Sequence, residues 1–176
     1  QARETGTMRN KILLGMAVPV ATLALVTAGC SSGNAQGSSV TSGAPTSAKP
    51  PTKDDIAKEF DVWNAALATG SAEQVADLYA PDAVLLPTVS NKVRTNRAEI
   101  VDYFQHFLEN KPSGVIEQEV VNVLDEDNAI NTGVYRFTLT KDGVQQQVEA
   151  RYTFVYELVG GKWLIVNHHS SAMPEK

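Results

Sequence analysis

Residues 163–174, WLIVNHHSSAMP, place five hydrogen-bonding side chains, Asn167 to Ser171, at the end of an apolar run. Upstream, Val134, Arg136 and Thr138 alternate with Tyr135, Phe137 and Leu139, and Glu149, Arg151, Thr153 and Val155 alternate with Tyr152, Phe154 and Tyr156. Strict alternation is the mark of a strand with two different faces. A two-residue loop at Asp142-Gly143 brings Arg136 opposite Glu149, with Arg151 one diagonal step away on the same face. Two guanidiniums beside one carboxylate leave a positive charge, and the guanidinium fork suits a carboxylate ligand. Two readings stand. In one, the face is solvated and Glu149 balances the arginines. In the other, it is the concave face beneath helices, and a second copy of the chain covers the aromatic face.

The other chemistries are less well served. His168 and His169 are strand neighbours on opposite faces and no third ligand stands at metal spacing, so no metal is expected. Ser170 and Ser171 lack the strand-to-helix elbow of a hydrolase nucleophile. The absence of a dinucleotide fingerprint leaves no cofactor to expect. What remains is one histidine able to exchange a hydrogen bond inside a cavity.

The elements that would position these residues follow from caps and periodicity. Thr52 and Asp55 form a capping box before Ile56, Phe60, Trp63 and Leu67, an apolar stripe at helical spacing. Ser71 with Gln74, and Asn96 with Glu99, start two further helices, the last carrying Ile100, Tyr103, Phe104, Phe107 and Leu108. A short strand is expected at 83–86. Four long strands follow, at 115–124, 129–140, 144–159 and 162–171, punctuated by Asp/Asn/Gly turns. The class is α+β, with three helices in the N-terminal half packed on a curved, mostly antiparallel sheet.

The first third of the chain reads differently. Arg9 and Lys11 follow Met8, the expected start, and precede an apolar run from Ile12 to Thr27 and then Ala28-Gly29-Cys30. A basic n-region, a short apolar core and small residues make residues 1–29 a signal-peptide region, with 1–7 upstream of the start. The run is shorter than the roughly 20 residues that span a bilayer. Residues 30–52, rich in Ser, Gly, Ala, Thr and Pro, read as a disordered tether, and 53–174 as the folded domain. From Asp54 onward there are 19 acidic and 10 basic residues. An acidic domain without a basic cluster is not a nucleic-acid binder, and any membrane contact is expected through the anchor alone.

Two resemblances complete the reading. Val26-Thr27-Ala28-Gly29-Cys30 resembles a bacterial lipobox, which implies that Cys30, the single cysteine, is the lipidated first residue of an exported membrane lipoprotein. ALATGSAEQVADLYAPDAVLL, RAEIVDYFQHFLEN, VYRFTLT, VEARYTFVYELVGGKW and NHHSSAMP together resemble the association (hub) domain of calcium/calmodulin-dependent protein kinase II. They are still more similar to its bacterial SgcJ/EcaC relatives, within the SnoaL-like, nuclear transport factor 2-like superfamily. The resemblance implies a cone-shaped fold with a deep pocket. It matches Arg136, Arg151 and Glu149 to pocket residues, and His169 and Ser171 to a histidine and a serine on the last strand. No kinase domain is matched, so no kinase activity is implied.

The expected protein is a lipid-anchored binding and assembly module without turnover. Its pocket of Arg136, Arg151, His169, Glu149 and Ser171 takes a small anionic or polar molecule, and it forms a homodimer or larger homo-oligomer through its aromatic sheet face. The alternative is a cyclase or isomerase using an acid or base in the cone. Cys30→Ser is expected to release the protein from membranes or block its processing. Full membrane recovery of the substituted protein would contradict the lipoprotein reading.

Overall fold

The computed structural model describes residues 49–174. Lipidation at Cys30, the signal region and most of the tether lie outside the described residues.

Helix α1, Lys53–Ala68, begins at the expected capping box, with Thr52 accepting from Asp55 N and the Asp55 carboxylate returning to Thr52 N. Its buried residues are the predicted stripe, Ile56, Phe60, Trp63 and Leu67. Helix α2, Ala72–Ala76, is capped by Ser71. Strand β1, Tyr79–Leu86, starts four residues earlier than the sequence suggests. Its first pairing, Tyr79 beside Ile165 in parallel, is long-range and leaves no local signature. Helix α3, Arg97–Leu108, is capped by Asn96 and buries Ile100, Tyr103 and Phe104.

Strands β2 (Ser113–Val123), β3 (Asn128–Lys141), β4 (Val144–Val159) and β5 (Lys162–Ala172) form an antiparallel meander, with β1 added in parallel beyond β5. The sheet order is β1-β5-β4-β3-β2. The β3–β4 hairpin turns through Asp142 and Gly143, at φ 53° and 78°. Two successive left-handed residues define the tight turn that fixes register. Arg136 therefore faces Glu149 and Tyr135 faces Ala150, as the loop position predicted.

Two irregularities interrupt the antiparallel meander, beside a third where β1 joins β5 between Tyr79 and Val84. One lies in β2 between Ile116 and Gln118. There a Cβ on Gly133 would sit 1.9 Å from the Gln118 carbonyl oxygen, so only glycine fits opposite the bulge. The second lies in β5, where Tyr156 pairs with Ile165 but Val155 pairs with Asn167. One extra residue, Val166, shifts the phase of everything after it.

The helices cover the aromatic face. Tyr135, Phe137, Tyr152, Phe154 and Tyr156 are all buried, packed with α1 and α3 in one core. Of the two readings of the strands, the solvated arginine face is the one observed. The reason is apolar area: the stripes of α1 and α3 need a large apolar partner, and a row of rings supplies it where guanidiniums would require desolvation. The expectation that aromatic residues 135–156 form a subunit interface is therefore corrected; they form the intramolecular core.

Candidate ligand-binding site

The bulge at Val166 decides which side of β5 meets the core. Downstream of it His168 pairs with Phe154 and Ser170 with Tyr152, on the inner face. His169 pairs with Thr153 and Ser171 with Arg151, on the outer face. His168 is 3% exposed and Ser170 is 7% exposed.

The His168 ring stacks on Phe154 at 4.0 Å between centroids and meets Trp63 edge-on at 5.4 Å. A polar chain fixes its tautomer. Trp63 Nε1 donates to the Tyr79 hydroxyl at 3.1 Å, and that hydroxyl lies 2.9 Å from His168 Nδ1. The indole can only donate, so the Tyr79 oxygen accepts from it, and the buried phenol proton finds an acceptor when it is given to Nδ1. Nδ1 is then the acceptor, and the ring hydrogen sits on Nε2. Nε2 is buried and has no hydrogen-bond partner. Burial, and secondarily the neighbouring His169, push the His168 pKa down to about 3. The imidazole is held neutral, as a donor.

A second chain runs alongside. The Tyr135 hydroxyl donates to Ser170 Oγ at 2.5 Å, and Ser170 Oγ contacts Thr88 Oγ1. Either hydroxyl can donate in the Ser170–Thr88 bond, and when Ser170 donates, the Thr88 hydrogen is free for a ligand. Burial raises the Tyr135 pKa, so the phenol stays protonated.

His168, Ser170, Thr88 and Tyr135 line one cavity between the sheet and α3, otherwise walled by apolar and aromatic side chains such as Phe104 and Leu139. Tyr79, which holds Nδ1, is not among the residues lining it. The enclosed space is about 30 Å³, room for roughly two waters. Val89, 59% exposed, is the one exposed large apolar side chain of the lining, which marks the solvent side of the cavity. Chemically, this is an apolar slot with hydrogen-bond donors at its floor. It has the make-up of a small-molecule site, mostly apolar with a few placed polar groups.

The five residues singled out from the sequence do share one face, but it is the outer one. Arg136 Nη2 pairs with Glu117 at 2.5 Å, and Nη1 bonds Gln147 at 3.3 Å. Its partner is thus on β2, although Glu149 is its register neighbour. Arg151, His169 and Ser171 border an open outer depression with Thr132 and Thr153. Glu149 and Arg136 border another. The expectation that these five point into the covered cone is corrected: their strand phase matches, and the helices lie on the other side. His168, Ser170, Tyr135 and Thr88 were missed. The available signal was Tyr135 and His168, polar atoms within an otherwise apolar row.

The chain thus has the architecture of the nuclear transport factor 2-like proteins: helices on a curved five-stranded, mostly antiparallel sheet, with a cavity between. Residues 52–174 match the calcium/calmodulin-dependent protein kinase II association domain family, and the chain belongs to it. A crystallised protein from Xanthomonas campestris, provisionally named as such an association domain, is 59% identical over 73% of this chain and 95% of its own, with a TM-score of 0.70. The association domain of the C. elegans kinase is 16% identical over 68% of this chain and 95% of its own, TM-score 0.57. A provisionally named dehydratase of the NTF2-like family from Streptomyces avermitilis is 15% identical over 69% and 97%, TM-score 0.61. The last two share the fold alone. No curated protein sequence matches.

The buried histidine ties stability to pH. The unfolded chain takes up a proton on His168 near pH 6.5, which the native chain refuses until about pH 3. Its contribution is therefore complete above pH 6.5 and lost as pH falls, by about 1.4 kcal/mol per pH unit. Denaturant titrations at pH 6 and pH 5 should show wild type losing about that much more than His168→Phe. Parallel losses in the two proteins would show that His168 is protonated in the fold.

Proposed function

We propose that the chain is an exported, lipid-anchored binding protein whose one folded domain holds a small molecule in the inner cavity and assembles with copies of itself. The observation that carries this reading is the buried, unpartnered Nε2 of His168, a residue that lines the apolar slot. A donor kept from water without an acceptor costs about 1–3 kcal/mol, and a ligand oxygen would recover that. The ligand fitting this floor is small and planar, with an uncharged acceptor at its inner end. Binding is favoured over an acid–base enzyme. A histidine held down to about pKa 3 is a poor base, and no carboxylate is among the residues lining the cavity.

Self-assembly is proposed for the outer sheet face. Val115 and Val120 are exposed there, and Ile130, Val134 and Val155 are half-buried, giving an apolar field bordered by Arg136, Glu149 and Arg151. A face bearing both charge signs can be self-complementary about a two-fold axis. The association-domain family supports this reading, as does the name of its C. elegans member.

Two measurements check the proposal. Calorimetric titration with 4-hydroxybenzamide, a planar uncharged probe, should show binding to wild type and at least tenfold weaker binding to His168→Phe. Equal binding to both would place the probe elsewhere, and no binding to wild type would refute the cavity reading. Light scattering should find an oligomer that Val155→Arg dissociates without loss of fold; a wild-type monomer at high concentration would contradict assembly.

A further inference from the structure

The mouth of the cavity holds a buried cation that the binding reading leaves unused. Arg94 is 8% exposed. It lies in the segment between β1 and α3, and its backbone exchanges two hydrogen bonds of 2.9 Å with Leu85, a residue lining the inner cavity. This two-way bridge holds the Arg94 backbone against Leu85, at the cavity wall.

A guanidinium has five N–H donors. Arg94 Nη1 reaches Asp102 at 2.8 Å, and Nη2 reaches Ser90 Oγ at 3.3 Å, a longer contact. Nε is buried with no partner. Asp102, the carboxylate in salt-bridge contact with Arg94, is 55% exposed and screened by water, and the Glu99 carboxylate, which also feels Arg94, is held by Lys92. A deeply buried charge is ordinarily matched by a full set of acceptors. This one is not.

Arg94 lines a recess of about 280 Å³ together with Ser90, Tyr103, His106 and Asn110. No carboxylate is among the residues lining it. The guanidinium sits 5.8 Å from the centre of the Tyr103 ring, which holds it against the aromatic wall. Val89, Tyr103 and Phe107 line both this recess and the inner cavity, so the two compartments adjoin at these three side chains and together make the candidate cleft. The inner compartment is narrow and uncharged with donors at its floor. The outer one is wider, donor-rich and cationic.

We propose that the cleft selects a small aromatic or otherwise planar carboxylate, its uncharged acceptor end on His168 and Thr88 and its carboxylate in the recess at Arg94. This rests on the inner-cavity reading and adds the charge of the ligand and the residue that reads it. Asp102 offsets the Arg94 charge in the free protein, and Lys92 is taken up by Glu99 at 2.8 Å. The selectivity comes from directed N–H donors at the mouth, since a charge-assisted pair is stronger and more directional than an amide contact. Arg94 is then a specificity residue at the entrance, where sequence alternation gave no reason to look.

The test compares 4-hydroxybenzoate with 4-hydroxybenzamide, which share shape and inner end and differ in charge, on the purified full-length chain. The carboxylate should bind about tenfold more tightly than the amide to wild type. Arg94→Gln should abolish that preference while leaving amide affinity unchanged, and Arg94→Lys should keep part of it. Should Arg94→Gln fail to fold, Ser90→Ala, which removes a neighbouring donor, must reduce the preference about threefold. Equal affinity for the two probes overturns the Arg94 proposal and leaves the inner cavity standing. A preference that survives Arg94→Gln, or survives Ser90→Ala when the first variant does not fold, also overturns it. Failure of both probes to bind wild type overturns the cavity reading and this inference together.

Discussion

The fold depends on one side chain, the Trp63 indole, which joins α1 to both ends of the protein's chemistry. Its ring meets Phe154 and Phe137 on the sheet and Phe104 on α3, all edge-on at 5.4 to 6.3 Å. That geometry suits the ring quadrupoles, negative at the face and positive at the edge. Its single polar atom sets the direction of the Tyr79–His168 chain. An indole nitrogen cannot accept, so each subsequent proton has one place to go. The same residue thus packs the core and orders the hydrogen-bond chain in which the neutral His168 is held.

From this follows the division of labour between the two faces. Aromatic rings absorb the apolar stripes of α1 and α3, and the charged residues that share their strands are left on the outside. The inner surface is consequently uncharged, and its few polar atoms are hydroxyls and an imidazole joined in chains. The charge that the cleft does possess arrives from a loop, through Arg94. The proposed site would read shape and acceptors in its depth and charge at its mouth.

Much of the architecture was legible in the sequence. Caps at Thr52, Ser71 and Asn96 announced the helices, and the Asp142-Gly143 turn gave the β3–β4 register. The grouping of Arg136, Glu149 and Arg151 on one face was also legible from alternation and that register, and His169 and Ser171 joined it by resemblance. Which face the helices cover was not, because alternation is symmetric: it shows two faces without saying which is inside. The bulge at Val166 was equally invisible, and a one-residue slip in β5 exchanges His168 for His169 at the core. Arg94 and Thr88 lay in a stretch without periodicity, and only their placement beside Leu85 and Ser170 gives them a role.

The measurement closest to the central claim is the nitrogen NMR spectrum of His168 in the folded protein at pH 5. The account predicts a neutral ring with its hydrogen on Nε2 and a bare, hydrogen-bonded Nδ1, unchanged from pH 7. A protonated imidazolium at pH 5, or a hydrogen on Nδ1, would contradict the donor chain from Trp63 and the site built on it.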